Sequence, residues 1–146
     1  THEMNVVKAI CDEVAIISDG RLIEQGTVSA IFSHPETDLA KKFIESSLQI
    51  EVPDEYLRRM SSIPEPDKRP LIKLEFTGQS VDDPVLSEVA RLFQVDNNII
   101  CAQMDYAGGV KFGVMLIEAI GTSENIEKSI KFYETRHIKP EVLGYV

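Results

Sequence analysis

Positive charge is scarce in this sequence. Fifteen Lys and Arg stand against 24 Asp and Glu, giving a formal net charge of −9 and a pI near 4.8. Phosphate backbones are bound through Lys and Arg and repel a surface of this sign, so no nucleic acid is expected as a partner. An anionic membrane surface is disfavoured for the same reason. Long apolar runs are missing too: nothing approaches the roughly 20 residues that span a bilayer, and the longest runs, such as 113–117, have the length of strand cores. No charged-then-apolar leader opens the chain. Cysteine is limited to Cys11 and Cys101. They lie far apart, without C-x-x-C pairing and inside apolar patterns, which predicts two buried thiols in a reducing, cytoplasmic compartment.

Several kinds of chemistry have no carrier. There is no G-x-x-x-x-G-K-[ST] phosphate loop; the glycine-rich stretch 108–113 lacks the spacing and reads as a tight hairpin. His2, His34 and His137 have no metal-ligand spacing with one another or with the cysteines, so no metal is expected. No Ser-His-Asp or Cys-His arrangement is supported. The chain alone is not expected to be a complete enzyme. It opens Thr-His-Glu without an initiator Met and reads as a piece of a longer protein.

What is present divides into three regions. In residues 1–47, Val6, Val7, Ile10, Cys11 and Val14 recur at helical spacing. Asp19-Gly20 between the runs Val14-Ala15-Ile16-Ile17 and Leu22-Ile23 predicts a hairpin, because both turn positions want positive φ. Thr27 is placed to cap a short helix bearing Val28, Ile31 and Phe32. His34-Pro35 breaks that helix, and Leu39, Ala40, Phe43 and Ile44 stripe the next. So short a segment cannot bury a full core alone and calls for a partner. Residues 48–70 hold four prolines. Pro53 is placed to start one short helix, and 61–70 reads as a proline-stiffened linker.

Residues 71–146 carry the clearest pattern. Ile72, Leu74 and Phe76 alternate with Lys73 and Glu75, a strand with one wet face. Asp83-Pro84 predicts an N-cap followed by proline in the first turn, leading into Val85, Leu86, Val89, Ala90 and Phe93. A second strand spans 98–106, with Ile99 facing opposite to Ile100 and Met104. Gly108-Gly109 turns it into a third strand, Thr122-Ser123 caps a second helix, and 138–146 closes the domain. The order is βαββαβ. Right-handed crossovers then give strand order 4-1-3-2, a ferredoxin-like plait of the α+β class. Pro140 fits an edge strand. The second strand is the other edge, and an open edge invites pairing, hence a homodimer.

Two stretches carry a family resemblance. Thr1-His2-Glu3-Met4 and the run 12–26, Asp-Glu-Val-Ala-Ile-Ile-Ser-Asp-Gly-Arg-Leu-Ile-Glu-Gln-Gly, resemble the end of an ABC-type ATPase domain, with Glu13 where the family commonly has Arg. The resemblance implies that His2 is the switch histidine of an ATP/Mg site otherwise lying outside this chain. Asn98-Ile99-Ile100, with Phe76-Thr77-Gly78-Gln79-Ser80 and Gln103-Met104-Asp105-Tyr106-Ala107-Gly108-Gly109, resembles the NIL domain, an ACT-like plait found behind the ATPase domain of methionine importers. Ile100 stands where the family's naming triplet has Leu.

That resemblance implies a regulatory region binding L-methionine at a domain dimer and inhibiting ATP-driven uptake. It also implies a transmembrane permease subunit as partner and a place on the cytoplasmic face of the bacterial inner membrane. Asn98, Ile99, Ile100, Met104, Gly78 and Gln79 are the candidate ligand contacts. Carboxamide and edge-strand groups would suit the zwitterion, and polarisable surface the thioether. From the residues alone Asp96-Asn97-Asn98 reads first as turn chemistry and Met104 first as core, and Gly78 reads also as a strand end. A dimerisation module without a ligand and a sensor domain of a metabolic enzyme are the rival readings; the stretch 1–26 speaks against the latter.

Overall fold

The computed structural model describes residues 1–77 and 83–146. Helix α1 (Met4–Ile10) is followed by the hairpin β1 (Glu13–Ser18) and β2 (Arg21–Thr27). Both turn residues have positive φ, 50° at Asp19 and 71° at Gly20. The first helix stops earlier than its apolar spacing predicts. Cys11 is extended and Val14 belongs to β1, whose ladder to β2 begins at Glu13. Helices α2 (Val28–Ser33) and α3 (Asp38–Ser46) follow, capped by the Thr27 and Thr37 hydroxyls, which accept from the Ala30 and Ala40 amides. Glu24 anchors the start of α3: its carboxylate accepts from the amides of Glu36 (2.9 Å) and Thr37 (3.1 Å) and from the Thr37 hydroxyl (2.6 Å). Burial pushes that carboxyl up, but these donors outweigh it and hold it below its ordinary value.

A single turn, α4 (Asp54–Leu57), has Pro53 at its cap rather than inside it. The second unit is β3 (Pro70–Thr77), α5 (Val85–Phe93), β4 (Asp96–Ala107), β5 (Val110–Ile120), α6 (Ser123–Thr135) and β6 (Ile138–Tyr145), in sheet order β4-β5-β3-β6. This is the ferredoxin-like plait, in the strand order the crossover rule predicts. Helix α5 begins one residue later than Asp83-Pro84 suggests. Asp83 pairs with Arg136 instead of capping, so Pro84 takes the cap position. Helices α5 and α6 cover one face, where Ile72, Leu74, Phe76, Val89, Ile117 and Tyr133 form the main core. The Tyr133 phenol donates to Asn97 Oδ1 at 3.4 Å, and burial raises its pKa.

The opposite face departs from expectation. Leu71 and Leu116 on it are fully buried, and Glu75 is 9% exposed. Two things cover what should be a wet face. Residues of α1, α2 and α3 pack Val7, Val28, Phe32 and Ile44 onto Phe112 and Val114. Beside them Lys73 bridges Glu75 (3.1 Å) and Glu141 (3.0 Å). The segment after α4 then closes one end of β6. Ser61 and Tyr145 exchange backbone hydrogen bonds at 2.8 Å each, and Met60 lies over Gly144.

A Cβ at Gly144 would sit 2.6 Å from Met60 Cγ and 2.9 Å from the Ser61 carbonyl oxygen. Gly144→Val is therefore expected to cost about 1–3 kcal/mol, the usual range for overpacking. Urea titration should give a lower midpoint. An unchanged midpoint would mean that the 58–62 segment does not rest on β6.

Candidate functional site

The candidate contacts on β4 are placed by a bulge. Ile99 pairs with Ile117, but Cys101 pairs with Leu116, leaving Ile100 as the extra residue of its strand. Such an insertion shifts the alternation by one. Ile99 and Met104, whose partners are Ile117 and Gly113, thus share the helix-side face, contrary to the strict alternation expected from sequence. They remain about 13 Å apart along the strand, four ladder steps at roughly 3.3 Å each, and Met104 packs against the main core. Gly113 makes room for Met104: a Cβ there would meet the Met104 sulfur at 3.0 Å.

Asn98 faces the other way. It is exposed, stands opposite Glu118, and donates from Nδ2 to Glu118 Oε2 at 3.2 Å. It belongs to a strand and not to a turn; in Asp96-Asn97-Asn98 it is Asn97 that bonds locally, to the Val95 carbonyl. Ile99 is 51% exposed. Strand β4 pairs with β5 on one side, and among the described residues no strand pairs with the other. Gly78 and Gln79 lie outside the described residues.

The remaining sequence candidates sit elsewhere. His2 is exposed at the start of the chain, 6.1 Å from the Phe43 ring. It lines an apolar cleft of about 460 Å³ with Val7, Val14, Ile16 and Ile44. It also borders a polar cleft of about 500 Å³ that reaches Gln103, Met104 and Asp105. The structure thus brings His2 and Met104 to one cleft and leaves Asn98, Ile99 and Ile100 on the open strand. The thiols of Cys11 and Cys101 are free and half-buried rather than fully buried; burial pushes the Cys101 thiol up. Among the described residues no group of three or more His, Cys, Asp or Glu could hold a metal ion, and no helix is long and apolar enough to cross a membrane.

Sequence reasoning missed Glu118 and Arg69. Glu118 is 9% exposed in a central strand, and its Oε1 takes Arg69 Nη1 at 3.3 Å. A charged residue inside the apolar run 112–120 was the available signal, since ionised groups are seldom buried unless paired.

A family model described as the NIL domain matches residues 70–142, half of the chain. The chain belongs to the NIL domain family. Over all 146 residues it is 62% identical to the methionine import ATP-binding protein MetN 3 of Pectobacterium atrosepticum. It is 60% identical to the methionine import ATP-binding proteins MetN 1 of Salmonella typhimurium and MetN of Escherichia coli K12. The chain spans 43% of the length of each of these relatives. A crystal structure of the C-terminal domain of an ABC transporter ATP-binding protein from Enterococcus faecalis is also similar. It covers 64% of this chain and 97% of its own, with a TM-score of 0.54 at 22% identity. That likeness shows a shared fold. The family match spans β3 to β6, so the bulge in β4 and the Asn98–Glu118 pair lie inside the NIL domain.

Proposed function

We propose that the chain is the regulatory region of the ATP-binding subunit of a methionine importer, and that its NIL domain senses methionine. In this reading residues 1–47 are the tail of the ABC ATPase domain, 48–70 the linker and 71–146 the regulatory domain. His2 is the switch histidine of an ATP/Mg site completed by the rest of the subunit, where its ring would hold a γ-phosphate oxygen. The partners are a second copy of the subunit and a transmembrane permease, at the cytoplasmic face of the inner membrane.

The observation that carries the sensing role is the free edge of β4, which presents an exposed Asn98 on one face and a half-exposed Ile99 on the other. An unpaired edge is a template for a second copy; the other edge, β6, carries Pro140 and is closed at one end by Ser61. Two β4 strands side by side form a groove with backbone donors and acceptors for a zwitterion and apolar flanks for a thioether. Methionine there, contacted by Asn98, Ile99 and Ile100 and by Gly78 and Gln79, favours a dimer geometry that keeps the two ATPase domains apart. Uptake then falls as internal methionine rises. Couplings of this kind amount to about 1–3 kcal/mol.

Calorimetric titration of methionine and other amino acids into the chain tests the reading. Saturable binding with preference for methionine is expected, and a dimer that takes up no amino acid would leave a dimerisation module only. Asn98→Ala removes a hydrogen bond to a charged group, about 1.5–3 kcal/mol, so affinity should drop roughly tenfold to a hundredfold. Unchanged affinity would remove Asn98 from the site.

A further inference from the structure

Asn98 is held at one end only. Its Nδ2 donates to Glu118 Oε2 at 3.2 Å. A carboxylate only accepts, so the amide nitrogen must be the end that faces Glu118, and Oδ1 turns away. Among the described residues Oδ1 takes no hydrogen bond from a protein donor. Glu118 cannot turn freely: it is 9% exposed in a central strand, and its other oxygen is tied to Arg69 Nη1 at 3.3 Å. The backbone of Arg69 is held in turn by hydrogen bonds exchanged with Val146 at 2.7 and 2.8 Å, while its side chain is half exposed. The series Val146, Arg69, Glu118, Asn98 runs across all four strands or their ends and stops at one free carbonyl on the open edge.

We infer that Glu118 is a positioning residue that fixes Asn98 as a hydrogen-bond acceptor, so that Asn98 reads the ammonium group of a bound amino acid and not its carboxylate. The inference rests on the methionine-sensing reading above and assigns the polarity of that site. A carboxamide free to rotate offers its donor and acceptor ends alike; one anchored through its nitrogen offers only the carbonyl. The Glu118 charge, partly offset by Arg69, adds a local field of the sign that suits an ammonium and opposes a carboxylate. The ligand class is thereby narrowed to compounds with a free α-amino group. The ligand's carboxylate must find its donors elsewhere, the β4 edge N–H groups not taken up by the second strand being the available set.

The test compares L-methionine with 4-(methylthio)butanoate, the same molecule without its amino group, against the wild-type chain, Glu118→Gln and Asn98→Ala. Competition calorimetry or ligand-observed NMR gives both affinities. Gln at 118 can donate or accept, so it no longer dictates which way Asn98 turns. The wild-type preference for methionine should shrink about tenfold in Glu118→Gln and in Asn98→Ala, with affinity for the desamino compound nearly unchanged. A purely structural Glu118 would weaken both compounds together. Asn98→Ala alters an exposed edge residue and keeps the test valid if Glu118→Gln does not fold. Methionine binding with the full preference retained in the folded variants overturns the assignment alone. A wild-type chain that binds neither compound overturns the sensing reading and the assignment with it.

Discussion

Phe112→Ala should remove about 3–5 kcal/mol of stability, the range for a fully buried aromatic cut to a methyl group. Phe112 has no exposed surface and shares a sheet face with Lys73 and Glu75, the residues from which a wet face is expected. Its ring meets Phe32 edge-on, with centroids 5.0 Å apart and an interplanar angle of 84°. Lys8 Nζ lies 5.1 Å over the ring centroid, and Val7, Val28, Ile44 and Leu48 complete the surround. The substitution therefore strikes the joint between the first fifty residues and the NIL domain. Chemical unfolding should show a markedly lower midpoint, and limited proteolysis should cut residues 1–50 while the plait resists. A loss under about 1 kcal/mol would mean that the N-terminal segment does not pack on the sheet, since a surface change away from special features stays within about 0.5 kcal/mol.

Ile99→Asp should abolish self-association while leaving the folded protomer intact. Ile99 is half-exposed on the free strand, so burying it belongs to a dimer and not to the protomer. In an antiparallel strand pair each substituted residue brings its own charge to the shared edge. Like charges set together cost several kcal/mol, and each 1.4 kcal/mol is about tenfold in the dissociation constant. Sedimentation should thus find a monomer at concentrations where the proposed wild-type dimer forms, with the unfolding midpoint nearly unchanged. A variant that remains dimeric would place the interface elsewhere. The apolar surface around Ile10, which is 76% exposed, and Ile17 would be the next candidate.

The plait was legible because each of its elements carries a local signal. Gly108-Gly109 and Thr122 state a turn and a cap chemically, as Asp19-Gly20 and Thr27 do in the segment before the plait, and the right-handed crossover rule orders the strands. The covered face was not legible. Its burial depends on contacts between residues 4–48 and residues 107–114, and alternation within one strand says only which side chains share a face, not what lies against it. The bulge at Ile100 was hidden for a similar reason. No glycine or proline marks it, and it exists only in the register between β4 and β5. It reverses the expected relation of Ile99 to Met104 and turns Asn98 toward Glu118. Glu118 itself looked like one charge in an apolar strand until its neighbours Asn98 and Arg69 were known. Gly78 and Gln79, proposed from resemblance, fall outside the described residues.

Sedimentation velocity of the wild-type chain over a methionine titration tests the central claim, that the open strand of one NIL domain pairs with its twin around methionine. The dimer fraction should rise, or its dissociation slow, as methionine is added, and Asn98→Ala should blunt that response without preventing dimerisation. A chain that stays monomeric at every methionine concentration, or a dimer equally indifferent to methionine with Asn98 intact or removed, would contradict it.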